Sequence, residues 1–130
     1  MSESEGVVLV IEDHEDVREG FRISLMLDGF AVEVASNGRE ALAKLYAGLR
    51  PFLIIMDLMM PVMDGFEFRQ AQLAYPELAD IPLIAYSGVT DPRETAQHLH
   101  AVAYLHKPTD MEQVAELVRQ FRPKLTDRAM

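Results

Sequence analysis

The stretch 51-PFLIIMDLMMPVMDG-65 decides how this chain folds. Residues 52–56 form a continuous apolar run that ends abruptly at the carboxylate of Asp57. An uninterrupted apolar strand belongs where both faces of a sheet are covered, as in a parallel sheet flanked by helices. The residue just past the C-terminal end of such a strand lies in the crevice where open α/β sheets bind ligands. An isolated buried carboxylate is costly, so Asp57 has to be paired, metal-bound or at the crevice mouth. Taken alone, the stretch is equally well read as a strand whose last residue caps a loop.

Working outward, residues 7–11 (VVLVI) are a second apolar, β-branched run, and they too end in acids, Glu12-Asp13. Helical spacing follows, with Val17, Phe21, Ser24 and Leu25 on one face, closing near Asp28-Gly29. Residues 30–35 alternate and read as a strand. Asn37, with Glu40 three residues on, opens a helix to about Gly48, and Asp64 with Glu67 repeats that spacing before a helix to about Ala74. Residues 81–86 are another apolar strand, with Pro82 at its start, where a missing N–H is tolerated. Asp91-Pro92-Arg93-Glu94 combines an N-cap, a Pro at the first helical position and an acid, a helix start. Residues 102–106 make a fifth strand, stopped at Lys107-Pro108. Thr109-Asp110-Met111-Glu112 reads as a capping box before a last helix with Met111, Val114, Ala115, Val118 and Phe121 on its apolar face.

Five strands alternating with five helices predict one α/β domain spanning 1–130, with a core at about 7–122 and frayed tails at 1–5 and 124–130. Its sheet is parallel and doubly wound, with right-handed crossovers and helices on both faces. Strand two, which contributes only Ser36 and Asn37 beyond its end, is placed at the sheet edge.

Composition narrows the function. A net charge of -9 disfavours direct binding to nucleic acid, which needs clustered Lys and Arg, and suits a protein partner or a cation. Apolar content of 49% and charged content of 25% are ordinary for a globular domain. The chain has no cysteine, which removes disulfides and thiolate chemistry and permits a reducing cytoplasm. The first residues are acidic and lack the basic and apolar parts of a signal peptide. No apolar run approaches the ~18 residues that span a bilayer. The expectation is a soluble cytoplasmic domain away from membranes.

In a parallel sheet every strand's carboxyl end points to the same edge, so residues far apart in sequence meet there. Those residues are Glu12 and Asp13 from strand one, Asp57 from strand three, Ser87 from strand four and Lys107 from strand five. Three carboxylates in one crevice repel one another unless a cation is present. Oxygen donors without Cys or His point to a hard cation, Mg²⁺ or Mn²⁺. A cation, a lysine and a hydroxyl around one carboxylate suit a group with several anionic oxygens. Phosphoryl is the foremost candidate, because its transfer is catalysed mainly by positioning and charge neutralisation. A carboxylate is a competent nucleophile for it and forms an aspartyl phosphate.

With these residues in view, the chain resembles the receiver domain of two-component response regulators, close in size and layout to single-domain chemotaxis regulators. The resemblance runs from about Val7 to Phe121. It rests on Glu12-Asp13, on the run from Met56-Asp57-Leu58 to Asp64-Gly65, on Ala85-Tyr86-Ser87-Gly88 and on Tyr104-Leu105-His106-Lys107-Pro108. It implies the flavodoxin-like strand order 2-1-3-4-5. It also implies Asp57 as phosphoacceptor from the phosphohistidine of a histidine kinase or histidine phosphotransfer protein. Asp13, Asp57 and the backbone carbonyl of Met59 would hold Mg²⁺, with Glu12 acting through a water. Lys107 would pair with Asp57 and then with a phosphoryl oxygen. Ser87 and Tyr104 would be the switch pair, and a cis peptide would join Lys107 to Pro108. A downstream protein would read the switch on the face made by the helix opening at Asp91, the fifth strand and the last helix. A receiver of this kind is not an enzyme in the ordinary sense, since it catalyses only its own phosphorylation and dephosphorylation.

Some positions depart from the family pattern. Met59 and Val89 would flank the phosphoryl group with apolar side chains, Thr109 replaces a common aromatic, and Gly88 stands where Ala is frequent. His100 occupies a place where the family commonly has Gly, and His is among the residues that tolerate a left-handed turn. His14 reads as a solvated residue opening the first helix, and His98 and His100 are too poorly spaced for one metal. Two other functions stay open: a Mg²⁺-dependent phosphatase or phosphotransferase working through an aspartyl phosphate, and a scaffold receiver that is never phosphorylated. Met59 stands where such phosphatases usually carry a second Asp.

Overall fold

The computed structural model describes residues 6–60, 62–88, 97, 99–107 and 110–122. The strands are β1 (Val7–Ile11), β2 (Ala31–Ala35), β3 (Leu53–Asp57), β4 (Leu83–Ser87) and β5 (Ala103–His106). The helices are α1 (Glu15–Leu27), α2 (Gly38–Tyr46), α3 (Gly65–Leu73), the single turn α4 (Pro76–Ala79) and α5 (Met111–Phe121). The strands form one parallel sheet in the order β2-β1-β3-β4-β5, the order expected. The helix start at Asp91, the Lys107-Pro108 peptide, Val89, His98 and Thr109 lie outside the described residues, as do both expected tails.

Each central strand is buried on both faces, which is why its sequence is apolar without alternation. The period of two nevertheless divides its side chains between two cores. Leu9, Ile11, Ile54, Met56, Leu83 and Ala85 pack with α2 and α3, through Leu42, Leu45 and Phe68. Val8, Val10, Leu53, Ile55, Ile84 and Tyr86 pack with α1 and α5, through Phe21, Leu25, Val114 and Val118. β2 and β5 are the edge strands, and the outward residues of β2 are correspondingly exposed.

The caps explain where the helices begin. Asn37 Oδ1 accepts the Glu40 N–H at 2.8 Å. Asp64 and Glu67 form a reciprocal capping box, with Oδ1 accepting the Glu67 N–H at 2.9 Å and Oε1 accepting the Asp64 N–H at 3.0 Å. The last helix starts one residue later than the expected box: Asp110 is its N-cap and accepts the Glu112 N–H at 3.0 Å.

Two details depart from the expected pattern. Val17 faces solvent rather than the core. Residue 18 lies nearer the centre of the Phe21–Leu25 stripe at 100° per residue, and the half-buried Arg18 occupies that place. The turn α4 was not expected, because Tyr75-Pro76-Glu77-Leu78 carries only a Pro at N1 and one buried apolar residue, Leu78.

Candidate functional site: the acidic pocket at the carboxyl edge of the sheet

The three central strands end in polar residues that stay buried. Glu12 and Asp57 are each 1% exposed and Ser87 is fully buried. Their backbone places are set by the ladder: Asp57 pairs with Tyr86 in register, Ser87 pairs with His106, and the Glu12 N–H bonds the Ala35 carbonyl at 3.0 Å. Lys107 follows directly after β5, and its N–H bonds the Ser87 carbonyl at 2.9 Å. Parallel topology thus brings Glu12, Asp13, Asp57, Ser87 and Lys107 to one edge, as the sequence implied.

At the centre Lys107 Nζ donates to Asp57 Oδ2 at 2.9 Å, and the Met59 N–H donates to Oδ1 at 3.1 Å. Burial opposes the charged Lys107, but its hydrogen bond and attraction to Asp57 outweigh that, and its pKa is raised. Glu12 has the reverse balance. Burial, with repulsion from Asp57 and a side-chain hydrogen-bonding interaction with Asp13, outweighs the His14 N–H and Lys107, and pushes its carboxyl up to about 7. Glu12 Oε2 accepts the His14 N–H at 3.0 Å, whereas Glu12 Oε1 and Asp13 Oδ1 are buried with no hydrogen-bond partner among the described residues. Orphaned anionic oxygens of this kind are costly in a protein interior and fit a cation. Oxygen donors of this hardness, with no sulfur among them, suit Mg²⁺.

The pocket floor depends on two features that sequence reasoning did not single out. Arg18 reaches back from α1 to donate to the Glu12 carbonyl at 3.0 Å and the Asp13 carbonyl at 3.5 Å, pinning the acidic turn. Its signal was its helical phase, three residues before Phe21. Tyr86, inside the quoted β4 motif, lies under Lys107, with Nζ 5.0 Å from its ring centroid. A glycine is required at position 65: an added Cβ would stand 2.8 Å from Leu58 Cδ2 and 3.0 Å from Leu58 Cα. The loop after Asp57 can therefore close on α3, where the Gly65 N–H bonds the Leu58 carbonyl at 3.1 Å.

Tyr104 is half-buried on the same sheet face as Ala85, and therefore as Ser87, and its hydroxyl lies 3.4 Å from the Ser87 carbonyl. The left-handed turn expected before β5 is present at His100, with φ 54°. The Met59 side chain is exposed.

Fold and site define the class: a doubly wound α/β domain with an acidic pocket at the carboxyl ends of its central strands. A family model described as the response regulator receiver domain matches residues 8–119. The chain belongs to that family, the receiver domains of two-component response regulators. It is 37% identical over 120 residues to the response regulator MprA of Mycolicibacterium vanbaalenii, covering 92% of this chain and 51% of that protein. The chain thus spans about half the length of the MprA relatives it matches. It is 35% identical to a 14.6 kDa protein of Leptolyngbya boryana, covering 88% of each. The chemotaxis protein CheY4 of Vibrio cholerae superposes with a TM-score of 0.81 at 31% identity, covering 89% of this chain and 98% of that one. The response regulator TrrA of Thermotoga maritima, solved with Mg²⁺–BeF, gives 0.77 at 26% identity, covering 88% and 97%. Receiver domains bind Mg²⁺ at an acidic pocket, and Glu12 and Asp13 form such a cluster here. Among the described residues no helix is long and apolar enough to cross a membrane.

Proposed function

We propose that the chain is a phosphorylation-controlled receiver that accepts a phosphoryl group on Asp57 from a phosphohistidine. The observation that carries this reading is the buried Asp57 carboxylate bonded to Lys107 at 2.9 Å beside two orphaned acidic oxygens. An Asp57 oxygen attacks phosphorus in line, forming the P–O bond as the P–N bond breaks and the imidazole leaves with its electron pair. Lys107 passes from the carboxylate to a phosphoryl oxygen. Asp13, Asp57 and the Met59 carbonyl would hold Mg²⁺ (or Mn²⁺), with Glu12 holding a metal-bound water; bound there, the ion supplies charge neutralisation for the transferring group.

Phosphorylation adds nearly two negative charges and three strong acceptors. Ser87 then donates its hydroxyl to the phosphoryl group, and Tyr104, on the same sheet face, follows inward and alters the surface beside β5. A groove lined by Leu105, Glu112, Gln113, Glu116, Leu117 and Gln120 lies on that surface, next to the place where a downstream protein would read the switch. A histidine kinase or histidine phosphotransfer protein is the donor. The negative charge speaks against direct nucleic-acid binding, and the lack of cysteine is compatible with the cytoplasm. One domain spanning 1–130 accounts for this activity.

The test is intact mass after incubation with Mg²⁺ and a small acyl phosphate, with Asp57→Asn alongside. One Mg²⁺-dependent phosphate that vanishes in Asp57→Asn supports the reading. No adduct, with Mg²⁺ binding intact, favours a scaffold receiver, and turnover of the donor without an adduct favours a phosphatase.

A further inference from the structure

On α3, Phe66, Arg69, Gln70 and Leu73 follow the three- and four-residue spacing that puts side chains on one helix face. With Leu99 and His100 from the turn before β5 they line a cavity of about 300 Å³, which shares no residue with the acidic pocket. That volume stands at the lower end of the range for small-molecule sites, about 300–1,000 Å³. Phe66 and Leu73 are exposed, Leu99 is buried, and the exposed Gln70 and His100 add polar groups.

The unusual member of this set is Arg69, a cation only 5% exposed. Its neighbours give it dipoles and no charge. Nε donates to the Leu99 carbonyl, Nη1 to Gln72 Oε1 and, at 3.5 Å, to the Ile81 carbonyl, and Nη2 to the His100 carbonyl. Among the described residues no carboxylate forms an ion pair with it. A guanidinium carries five N–H groups in a fixed fork, so these four bonds leave one Nη2 N–H without a hydrogen bond among the described residues. Nη2 is the nitrogen bonded at His100, itself part of the cavity wall. Burying a cation without a counter-charge is costly, and an anion seated in the cavity offsets that cost.

The walls also set the character of the anion. Exposed Phe66 and Leu73 offer apolar surface for a ligand's body to cover. With one buried guanidinium and a chain charge of -9, a single negative charge is favoured over a multiply charged phosphate ester. We propose that this cavity is a binding site for a small organic carboxylate, held by Arg69 with its apolar body against Phe66 and Leu73. Because the same guanidinium fixes the Leu99 and His100 carbonyls, occupancy is felt by the backbone that leads into β5. The inference goes beyond the phosphoryl chemistry and does not depend on it.

Proton–nitrogen NMR titration of the intact chain with phenylacetate tests this. Phenethyl alcohol serves as the uncharged analogue, and acetate as the carboxylate without an apolar body. Phenylacetate should shift the Leu99 and His100 amides and the Arg69 Nε–H saturably, with a dissociation constant of about a millimolar or below. Phenethyl alcohol and acetate should each bind at least about tenfold more weakly. Gln70 is exposed, so Gln70→Glu and Gln70→Lys keep the fold and change the charge lining the cavity. Gln70→Glu should weaken phenylacetate by at least about threefold and Gln70→Lys should strengthen it by about as much, with the alcohol unaffected in both. The absence of a saturable shift at these three groups, or equal affinity for phenylacetate and the alcohol, overturns the inference. Phenylacetate affinity that is the same in the parent and both Gln70 variants overturns it as well, because a carboxylate seated there has to feel that charge.

Discussion

Lys107 lies over the ring of Tyr86, its Nζ 5.0 Å from the centroid, while the same nitrogen bonds Asp57 Oδ2 at 2.9 Å. Tyr86 is itself held edge-on by Phe21, with ring centroids 5.1 Å apart at 88°. The lysine thus has an acid at its head and an aromatic platform beneath, and α1 anchors that platform through Phe21. A half-desolvated cation–π contact contributes about 0.5–2 kcal/mol, and the aromatic pair about 0.5–1.5 kcal/mol.

The first prediction follows from that stack. Tyr86→Phe keeps both ring contacts and should leave thermal stability within about 0.5 kcal/mol of the parent. Tyr86→Leu loses both contacts and leaves part of the ring's space empty, and should cost about 1–3 kcal/mol in chemical denaturation. Equal stability of the Leu and Phe variants would show that neither the ring's packing nor its contact with Lys107 contributes to stability.

How much of this site was legible in sequence depends on what kind of contact each residue makes. Glu12, Asp57, Ser87 and Lys107 were legible because parallel strands carry their ends to one edge, and each follows or closes an apolar run. Tyr86 was not, because an aromatic in a buried strand reads as core, and its role depends on Lys107 crossing above it from another strand. Arg18 was hidden for a similar reason: a charged residue in a helix reads as solvent-facing until its phase is compared with Phe21 and Leu25. The caps at Asn37 and Asp64 were legible as local three-residue patterns, whereas α4 was not, since a single turn has no periodicity to detect.

Glu12 makes a pH-dependent prediction for the metal-free protein. Its carboxyl is raised from 4.5 to about 7 in the fold, chiefly by burial. Between those values the folded chain holds a proton that the unfolded chain has released, so stability falls as pH rises through that window. The contribution is fully present below about 4.5 and lost above about 7. At about 1.4 kcal/mol per pKa unit the loss reaches up to about 3 kcal/mol. Urea denaturation in a chelator at pH 5 and pH 8 should show it, and Glu12→Gln should flatten the difference. An equal slope in the two proteins would locate the titrating group elsewhere.

A third prediction concerns a buried cation far from the pocket. Arg69, 5% exposed, donates Nε to the Leu99 carbonyl at 2.7 Å and a terminal nitrogen to the His100 carbonyl at 2.9 Å. Its other terminal nitrogen bonds Gln72 Oε1 at 2.7 Å, and Gln72 Nε2 continues to the Leu78 carbonyl at 2.8 Å. The guanidinium therefore ties α3 to the backbone that leads into β5, and burial lowers its pKa. Arg69→Met leaves two buried acceptors and a half-buried one short of a donor and should cost about 2–4 kcal/mol. Arg69→Lys should recover less than half of that, because an ammonium does not reproduce the fork. Full rescue by Lys in thermal denaturation would show that charge rather than geometry holds the junction.

The last prediction lies in the loop between Asp57 and the Asp64 cap. Val62 adopts φ 73°, a left-handed conformation that is unusual for any side chain and most of all for a β-branched one. An L-residue there costs about 1–2 kcal/mol, and the Val62 side chain is 65% exposed, so little burial offsets it. His100, at φ 54°, carries a residue type that accepts this region better. Val62→Asn should therefore stabilise the protein by about 0.5–1 kcal/mol. Val62→Gly should gain less, because its strain relief is partly cancelled by about 0.5–1 kcal/mol of extra freedom in the unfolded chain. Because the strained residue sits a few positions from the proposed phosphoacceptor, both variants should also be compared for phosphorylation by an acyl phosphate. A gain in stability with a slowed reaction would mean that the strain holds the loop in its reactive arrangement. A loss of stability in Val62→Asn would mean that the exposed valine makes contacts worth more than the strain it bears.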